Sequence, residues 1–433
     1  MIARNAIRGV AILALLLIGS PFGAALTPEQ RQLNIQSFEY VWTAIRDKHW
    51  QTKPGGLDWQ AIHDEFRPKM EAADSPAAAR DVLNQMLGRL HQSHFNIVPG
   101  ELYANLDAMR GGDTTTGIDI RVIGAQVLVT SVDHDSSAFR QGVRPGWEIR
   151  KIEGTELAPI VAKLNETYAG STLRDLMLRR AILARLAGEA AGSVEVEFLD
   201  GDGKREGKLL AQGQPKGDRV RFGYLSPMQV WFNSSRVGDG NIGYAAFNAF
   251  LDGQRLMTWF GDTVQTCEKC EGFIVDLRGN PGGIGVMAMG MAGWFIAQPD
   301  QNLGTLYMRD TTLKFVVNPR ATTYAGPLAI LVDGTSASTS EILAEGLKDL
   351  GRARIFGTRT AAAALPSVFE KLPDGDGFQY AIANYISGGG QPLEGLGVTP
   401  DVETPLTREA LLAGKDPALD AAVAWIESQK ASK

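Results

Sequence analysis

Three serines, Ser336, Ser338 and Ser340, stand in the run of small residues Thr335-Ser-Ala-Ser-Thr-Ser-Glu341. Ahead of them Ala329-Ile-Leu-Val332 is apolar and short enough for a buried strand, and behind them Ile342, Leu343, Leu347 and Leu350 fall at helical spacing. A serine at such a junction faces helix amides that have no intrahelical partner and carry partial positive charge. It can therefore cap the helix or act as a nucleophile beside an oxyanion site. Capping is the ordinary role of serine there, so chemistry requires further groups. Two other stretches offer them. Arg278-Gly-Asn-Pro-Gly-Gly283 follows the apolar run Gly272-Phe-Ile-Val-Asp-Leu277. Its glycines let backbone approach a substrate closely, so that the N–H of Gly282 or Gly283 can meet an oxyanion. A phosphate cradle is the other use of such a loop, but no lysine follows it in P-loop fashion. Leu90-His-Gln-Ser-His-Phe95 places two imidazoles at an element boundary, where a histidine is ordinarily a surface or hydrogen-bonded structural residue.

The elements that must position these groups form an α+β multidomain pattern. Residues 26–105 read as a helical region, with Phe38, Val41, Trp42 and Ile45 and then Val82, Leu83, Met86 and Leu87 at helical spacing, and helix starts at Asp58 and at Asp74-Ser-Pro76. Residues 106–212 shift to strands: Gly117–Ile120, Gln126–Thr130, Trp147–Ile152 and Ser193–Phe198, with helix-like pieces at Ser137–Gln141 and Leu173–Leu178. After Gln212-Gly-Gln-Pro215, residues 213–433 alternate strands and helices in the manner of an α/β layer. They include a helix from Gln254 to Val264, a long apolar helix from Val286 to Ile296, strands and turns around Lys371–Tyr385, and a terminal helix from Pro417 to Ser428.

The order of pieces in 106–212 resembles a PDZ domain of the bacterial protease type. That resemblance implies peptide binding at Gly117, Ile118, Asp119 and Ile120, where backbone N–H groups receive a terminal carboxylate and the peptide adds a strand. A β-rich spacer is the plain alternative.

Asp276-Leu-Arg-Gly-Asn-Pro-Gly-Gly283, Thr335-Ser-Ala-Ser-Thr-Ser-Glu341 and Gly395-Leu-Gly-Val-Thr-Pro-Asp401 together resemble the signature segments of the C-terminal processing, or tail-specific, serine proteases, in the family's order. The resemblance implies a serine peptidase core at 213–433 with Ser338 as nucleophile, leaving Ser336 and Ser340 as turn or cap residues. Gly282, Gly283 and the amide of Thr339 would form the oxyanion site. The family lysine base, however, falls on Ala363, within Ala361–Ala364. The tricorn protease core, a relative, uses a Ser-His pair and a late glutamate, which Ser93, His94 and Glu394 resemble. In that arrangement His94 removes the Ser338 proton and returns it to the leaving amine. His91 is a competitor for the base, and Lys371 and Lys348 are the next places to look. Because an alanine stands where a base is expected, a non-catalytic protein that binds peptides or a hydrophobic ligand is the alternative, and gating of the site by the PDZ-like segment is a third reading.

The remaining features bound the setting. With 44% hydrophobic and 21% charged residues in a chain of 433, and 43 basic against 49 acidic groups, the composition is globular and mildly acidic, offering nothing to nucleic acid or an anionic membrane surface. Arg4 and Arg8, the apolar run Val10–Ile18 and the small residues Gly23, Ala24 and Ala25 have the layout of a signal peptide at 1–25, which implies an exported, periplasmic or secreted protein with no later membrane span. Cys267 and Cys270 read as a small local disulfide in preference to a thiol-exchange pair. The expected partner is a polypeptide, taken by its C-terminal tail; no metal and no cofactor is implied.

Overall fold

The computed structural model describes residues 26–100, 114–169, 172–187, 192–221 and 228–429. The expected leader at 1–25 lies outside the described residues. Helices Pro28–Lys48, Trp59–Ala72 and Pro76–Gly88 open the described chain, and each starts on a side-chain cap. Thr27 and Gln30 form a reciprocal capping box, Asp58 accepts from the amides of Gln60 and Ala61, and Ser75 accepts from Ala78. Each such cap is worth about 1 kcal/mol. The chain then forms a short strand, Asn96–Val98, which pairs antiparallel with Gly377–Ala381 of a late hairpin. Ile97, Phe378 and Tyr380 bury themselves with Phe38, Phe66 and Met86 in one apolar cluster. The first helices and this distant hairpin thus share a core, and the hinge between them carries Ser93 and His94.

The middle segment is an antiparallel sheet in the order Ile118–Ile123, Gln126–Val132, Glu148–Ile152, Ser193–Leu199, Arg205–Ala211. Helices Leu157–Thr167 and Arg174–Ala187 pack on it. The second runs well past the expected Leu173–Leu178, and the first, though Leu157, Ile160, Val161 and Leu164 fall at helical spacing, was not among the expected elements. Among the described residues Ile118–Ile123 lies at the sheet's edge, with one side unpaired by strand.

The sheet that carries the serine turn has six strands: Phe232–Val237, Ile242–Phe247, Gly272–Asp276, Leu328–Val332, Arg354–Gly357 and Val402–Glu403. All its pairs except the first are parallel. Gly272–Asp276 and Leu328–Val332 are buried at every position, as expected for parallel strands covered on both faces. Helices Gly253–Gln265 and Thr339–Asp349 cover one face and Pro417–Ser428 the other. Because three neighbouring strands are parallel, their carboxyl ends share one sheet edge. The loops that follow them, Leu277–Gly283, Asp333–Ser338 and Thr358–Leu365, meet there, the place where open α/β sheets build sites.

The apolar helix expected from Val286 to Ile296 ends at Ala292. Gly293 lies against the backbone of Asn318, where a Cβ would stand 2.2 Å from the carbonyl oxygen, and the next residues tighten into turns. Cys267 and Cys270 are joined as a disulfide. No helix among the described residues is long and apolar enough to cross a membrane.

Candidate active site

The two flanking serines fasten the turn. Ser336 Oγ donates to Leu277 O at 2.8 Å, and Ser340 Oγ donates to Asn280 O at 2.9 Å. Both bonds tie the serine turn to the glycine loop of the neighbouring strand. Between them Ser338 stands at the N-cap of helix Thr339–Asp349 with φ 56° and ψ −117°. A non-glycine residue in that region costs on the order of 1–3 kcal/mol, and surrounding bonds must hold it there. The strand-turn-helix elbow is the geometry that lifts a nucleophile clear at the edge of an α/β sheet.

The glycine loop passes close to this elbow. Gly282 has φ 93°, and a Cβ there would lie 2.7 Å from Ser338 Cβ and 2.8 Å from Thr339 N. Gly283 has φ 144°, and its Cβ would strike Phe250 O at 2.4 Å. Gly282 N–H donates to Asn280 Oδ1 at 2.9 Å, so this amide is committed to its own loop and departs from the expected oxyanion role. Among the described residues no acceptor binds the amides of Gly283 or Thr339. Thr339 Oγ1 donates to Gly283 O at 3.0 Å and sets the spacing of that pair.

On the other side stand Ser93, His94 and Glu394. Ser93 Oγ donates to Glu394 Oε2 at 2.8 Å, and Ser93 N–H donates to Oε1 at 2.7 Å. With its proton so used, the Ser93 hydroxyl accepts Nδ1–H of His94 at 2.6 Å, which leaves the lone pair on Nε2. His94 is itself held at φ 62°. Enclosure by protein, and then the positive charge of Arg180, push its pKa down to about 4, so the ring is neutral at pH 7. Burial pushes the Glu394 carboxyl up, against the bonds it accepts from Ser93 and Ala364. No hydrogen bond joins His94 to Ser338; contacts between a nucleophile and its base commonly tighten with substrate.

The strap Thr360–Ala364 joins the two halves. Ala363 O accepts Ser338 N–H at 2.8 Å, Ala364 N–H donates to Glu394 Oε2 at 3.1 Å, and Gly395 N–H donates to Ala362 O at 2.9 Å. Ala363 is buried against Ala337 and Ala361, leaving no space for a lysine side chain in this packing. Of the other candidate bases, His91 and Lys371 are exposed. Lys348 lies roughly 15 Å along the helix from Ser338 and donates to Thr399 O at 2.6 Å.

Sequence reasoning passed over Glu341, Asn280 and Asp333. Glu341 had a signal, since Ser338-Thr-Ser-Glu341 has the spacing of a capping box. The other two act through contacts with distant backbone.

The edge strand Ile118–Ile123 comes near this site. Gly117 has φ 80° and abuts Ser136, and its N–H donates to Thr115 Oγ1 at 3.0 Å. Ile120 N–H donates to Asp119 Oδ1 at 2.9 Å. The Asp119 carboxylate also accepts from Arg179 at 2.7 Å and from Arg121 at 3.1 Å. Arg121 in turn donates to Asp333 Oδ2 at 2.8 Å, while Asp333 Oδ1 accepts from Gly279 N–H at 3.1 Å and Thr335 Oγ1 at 2.6 Å. Burial alone would raise the Asp333 carboxyl, but Arg121 and these bonds outweigh it and hold the group well below the usual carboxylate range. A cavity of about 610 Å³ runs between the two units, lined by Gly117, Asp119, Arg179 and Arg180 on one side and Gly279 and Pro281 on the other.

Residues 241–404 match the profile of peptidase family S41, and residues 33–88 match the tricorn protease C1 domain. A carboxyl-terminal-processing protease of Synechocystis sp. is 25% identical over 91% of this chain and 86% of its own length. Tricorn protease homolog 1 of Streptomyces coelicolor is 25% identical over 90% of this chain, which spans 34% of that longer protein. The structure of a photosystem II D1 C-terminal processing protease superimposes with a TM-score of 0.58 at 22% identity, covering 92% of this chain and 97% of that one, a likeness of fold. The glycine loop, the serine elbow and the late glutamate segment all lie inside residues 241–404, the part of the chain that matches the peptidase family S41 profile.

Proposed function

We propose that this protein is an exported serine endopeptidase that takes polypeptides by a C-terminal tail and cleaves them through an acyl-enzyme on Ser338. The observation that carries the reading is the strained Ser338 elbow at a helix start, set beside the amides of Gly283 and Thr339. His94 Nε2 takes the Ser338 proton as Oγ attacks the scissile carbonyl. The two amides receive the oxyanion, and His94 then protonates the leaving amine. Water, deprotonated by the same ring, releases the acyl group. Ser93 and Glu394 keep Nδ1 protonated and the ring in place throughout. The glycine loop, rather than a lysine, thus works with a histidine base.

The edge strand at Gly117, Ile118, Asp119 and Ile120, with helix Arg174–Ala187 beside it, supports a PDZ-like role for residues 106–212. A tail added to that edge would lie along the cavity that Gly279 and Pro281 also line, on the way to Ser338. Export is supported by the charged, apolar and small-residue order of residues 1–25.

Purified mature protein should hydrolyse an unfolded polypeptide and take up a fluorophosphonate at Ser338, and Ser338→Ala should abolish both. Cleavage retained by that variant would overturn the nucleophile. Alanine at 363 favours one other reading, a peptide-binding protein without catalysis; it predicts no labelling and no turnover in a folded wild-type protein, with tail peptides still bound.

A further inference from the structure

Glu341 is fully buried, yet the reaction just described does not use it. Its carboxylate accepts four hydrogen bonds: from Ser338 N–H at 2.9 Å, Thr360 Oγ1 at 2.5 Å, Ala362 N–H at 2.9 Å and Ala363 N–H at 3.0 Å. Ser338 N–H is shared with Ala363 O, so Glu341, Ser338 and Ala363 form a closed triangle. Two of the residues it holds, Ser338 at φ 56° and Ala362 at φ 52°, occupy the left-handed region, which needs an external brace.

We infer that Glu341 is a positioning residue for the proposed hydrolysis: its carboxylate clamps the Ser338 elbow to the Thr360–Ala363 strap, and so fixes the nucleophile relative to the Ser93, His94 and Glu394 side of the site. The inference rests on Ser338 being the nucleophile. The strap that would bear the family lysine thereby acts through its backbone, reaching Glu341 from Ala362 and Ala363 and Glu394 from Ala364.

The clamp depends on charge. Three of the four partners are amide donors, and a protonated carboxyl would turn one acceptor oxygen into a donor facing them. Of the four, only the Thr360 hydroxyl has lone pairs with which to reverse its bond, and one of them already accepts Val398 N–H. Burial pushes the Glu341 carboxyl up to about 7, against the pull of these bonds. The titratable or charged groups on the elements around it are Glu394, bonded to Ala364; His94 behind Ser93; Arg359, which donates to Leu396 O; and Asp333, paired with Arg121.

The test is the rate of fluorophosphonate labelling from pH 5 to 9, with peptide kcat and KM, for wild type, Ser338→Ala and Glu341→Gln. Wild type should label faster as pH rises through about 7. Glu341→Gln should label at least about 10-fold more slowly at pH 8, with that inflection gone, kcat lowered and KM little changed. Labelling of Glu341→Gln at the wild-type rate and with the wild-type profile would overturn the clamp and leave the nucleophile standing. Should Glu341→Gln fail to fold, the wild-type profile decides alone, since a flat rate between pH 6 and 8 would overturn the inference. Absence of any Ser338-dependent labelling in folded wild type overturns the nucleophile and the clamp together.

Discussion

Ser93 Oγ lies 2.6 Å from His94 Nδ1 and gives its own proton to Glu394, so one hydroxyl connects the imidazole to the carboxylate. The imidazole is oriented through a serine rather than by direct contact with the acid. Ser93→Ala should leave His94 free to adopt the wrong tautomer and lower kcat by about 100-fold, with thermal stability near that of wild type. His94→Ala should lose at least about 100-fold. Combining the two should cost little more than His94→Ala alone, because the groups act as a unit. Full additivity of the two losses in steady-state kinetics would argue against the relay.

Restoring the family lysine should not create a working dyad. Ala363 packs on Ala337 and Ala361 and is 2% exposed. Ala363→Lys forces a long charged chain into that cluster, at a cost of about 3 kcal/mol. Denaturant unfolding should show the loss, and turnover should fall. A stable, more active Ala363→Lys protein would show that the strap can repack.

The partly buried ion pair between Arg121 and Asp333 joins the edge-strand unit to the serine turn. Asp333→Ala leaves Arg121 with Asp119 as its remaining carboxylate partner and removes the acceptor for Gly279 and Thr335, a loss of about 2 kcal/mol. Serine labelling should drop with it. Arg121→Ala should destabilise as well, and a double-mutant cycle should return a coupling of at least about 1 kcal/mol if the pair acts across the units.

Stability should also report Glu341 directly. Its folded pKa lies above the usual glutamate value, so the protonated form is favoured by folding. The associated stability is present in full below about 4.5 and is lost as pH rises through about 7. Relative to Glu341→Gln, which cannot titrate, wild type should therefore lose stability between pH 5 and 8, by on the order of 3 kcal/mol at most. Chemical denaturation of both proteins at the two pH values measures the difference; a gain with rising pH would contradict the sign.

Read along the chain, the serine turn, the glycine loop and the missing lysine were legible, because each depends on residues a few positions apart. A strand's apolar run and a helix's spacing mark where a hydroxyl can stand, and Ala363 is absent chemistry that no fold can supply. The sequence also suggested Ser93, His94 and Glu394, but only through likeness to another protease, as they show no local pattern. Their union is a tertiary fact: Ser93 and Glu394 lie 301 positions apart, and they meet because Asn96–Val98 pairs with a strand near the chain's end. The commitment of Gly282 N–H to Asn280 and the clamp at Glu341 belong to the same class. Spacing along a chain fixes what is local, whereas a hydrogen bond between distant loops exists only once parallel strands bring their ends to one edge.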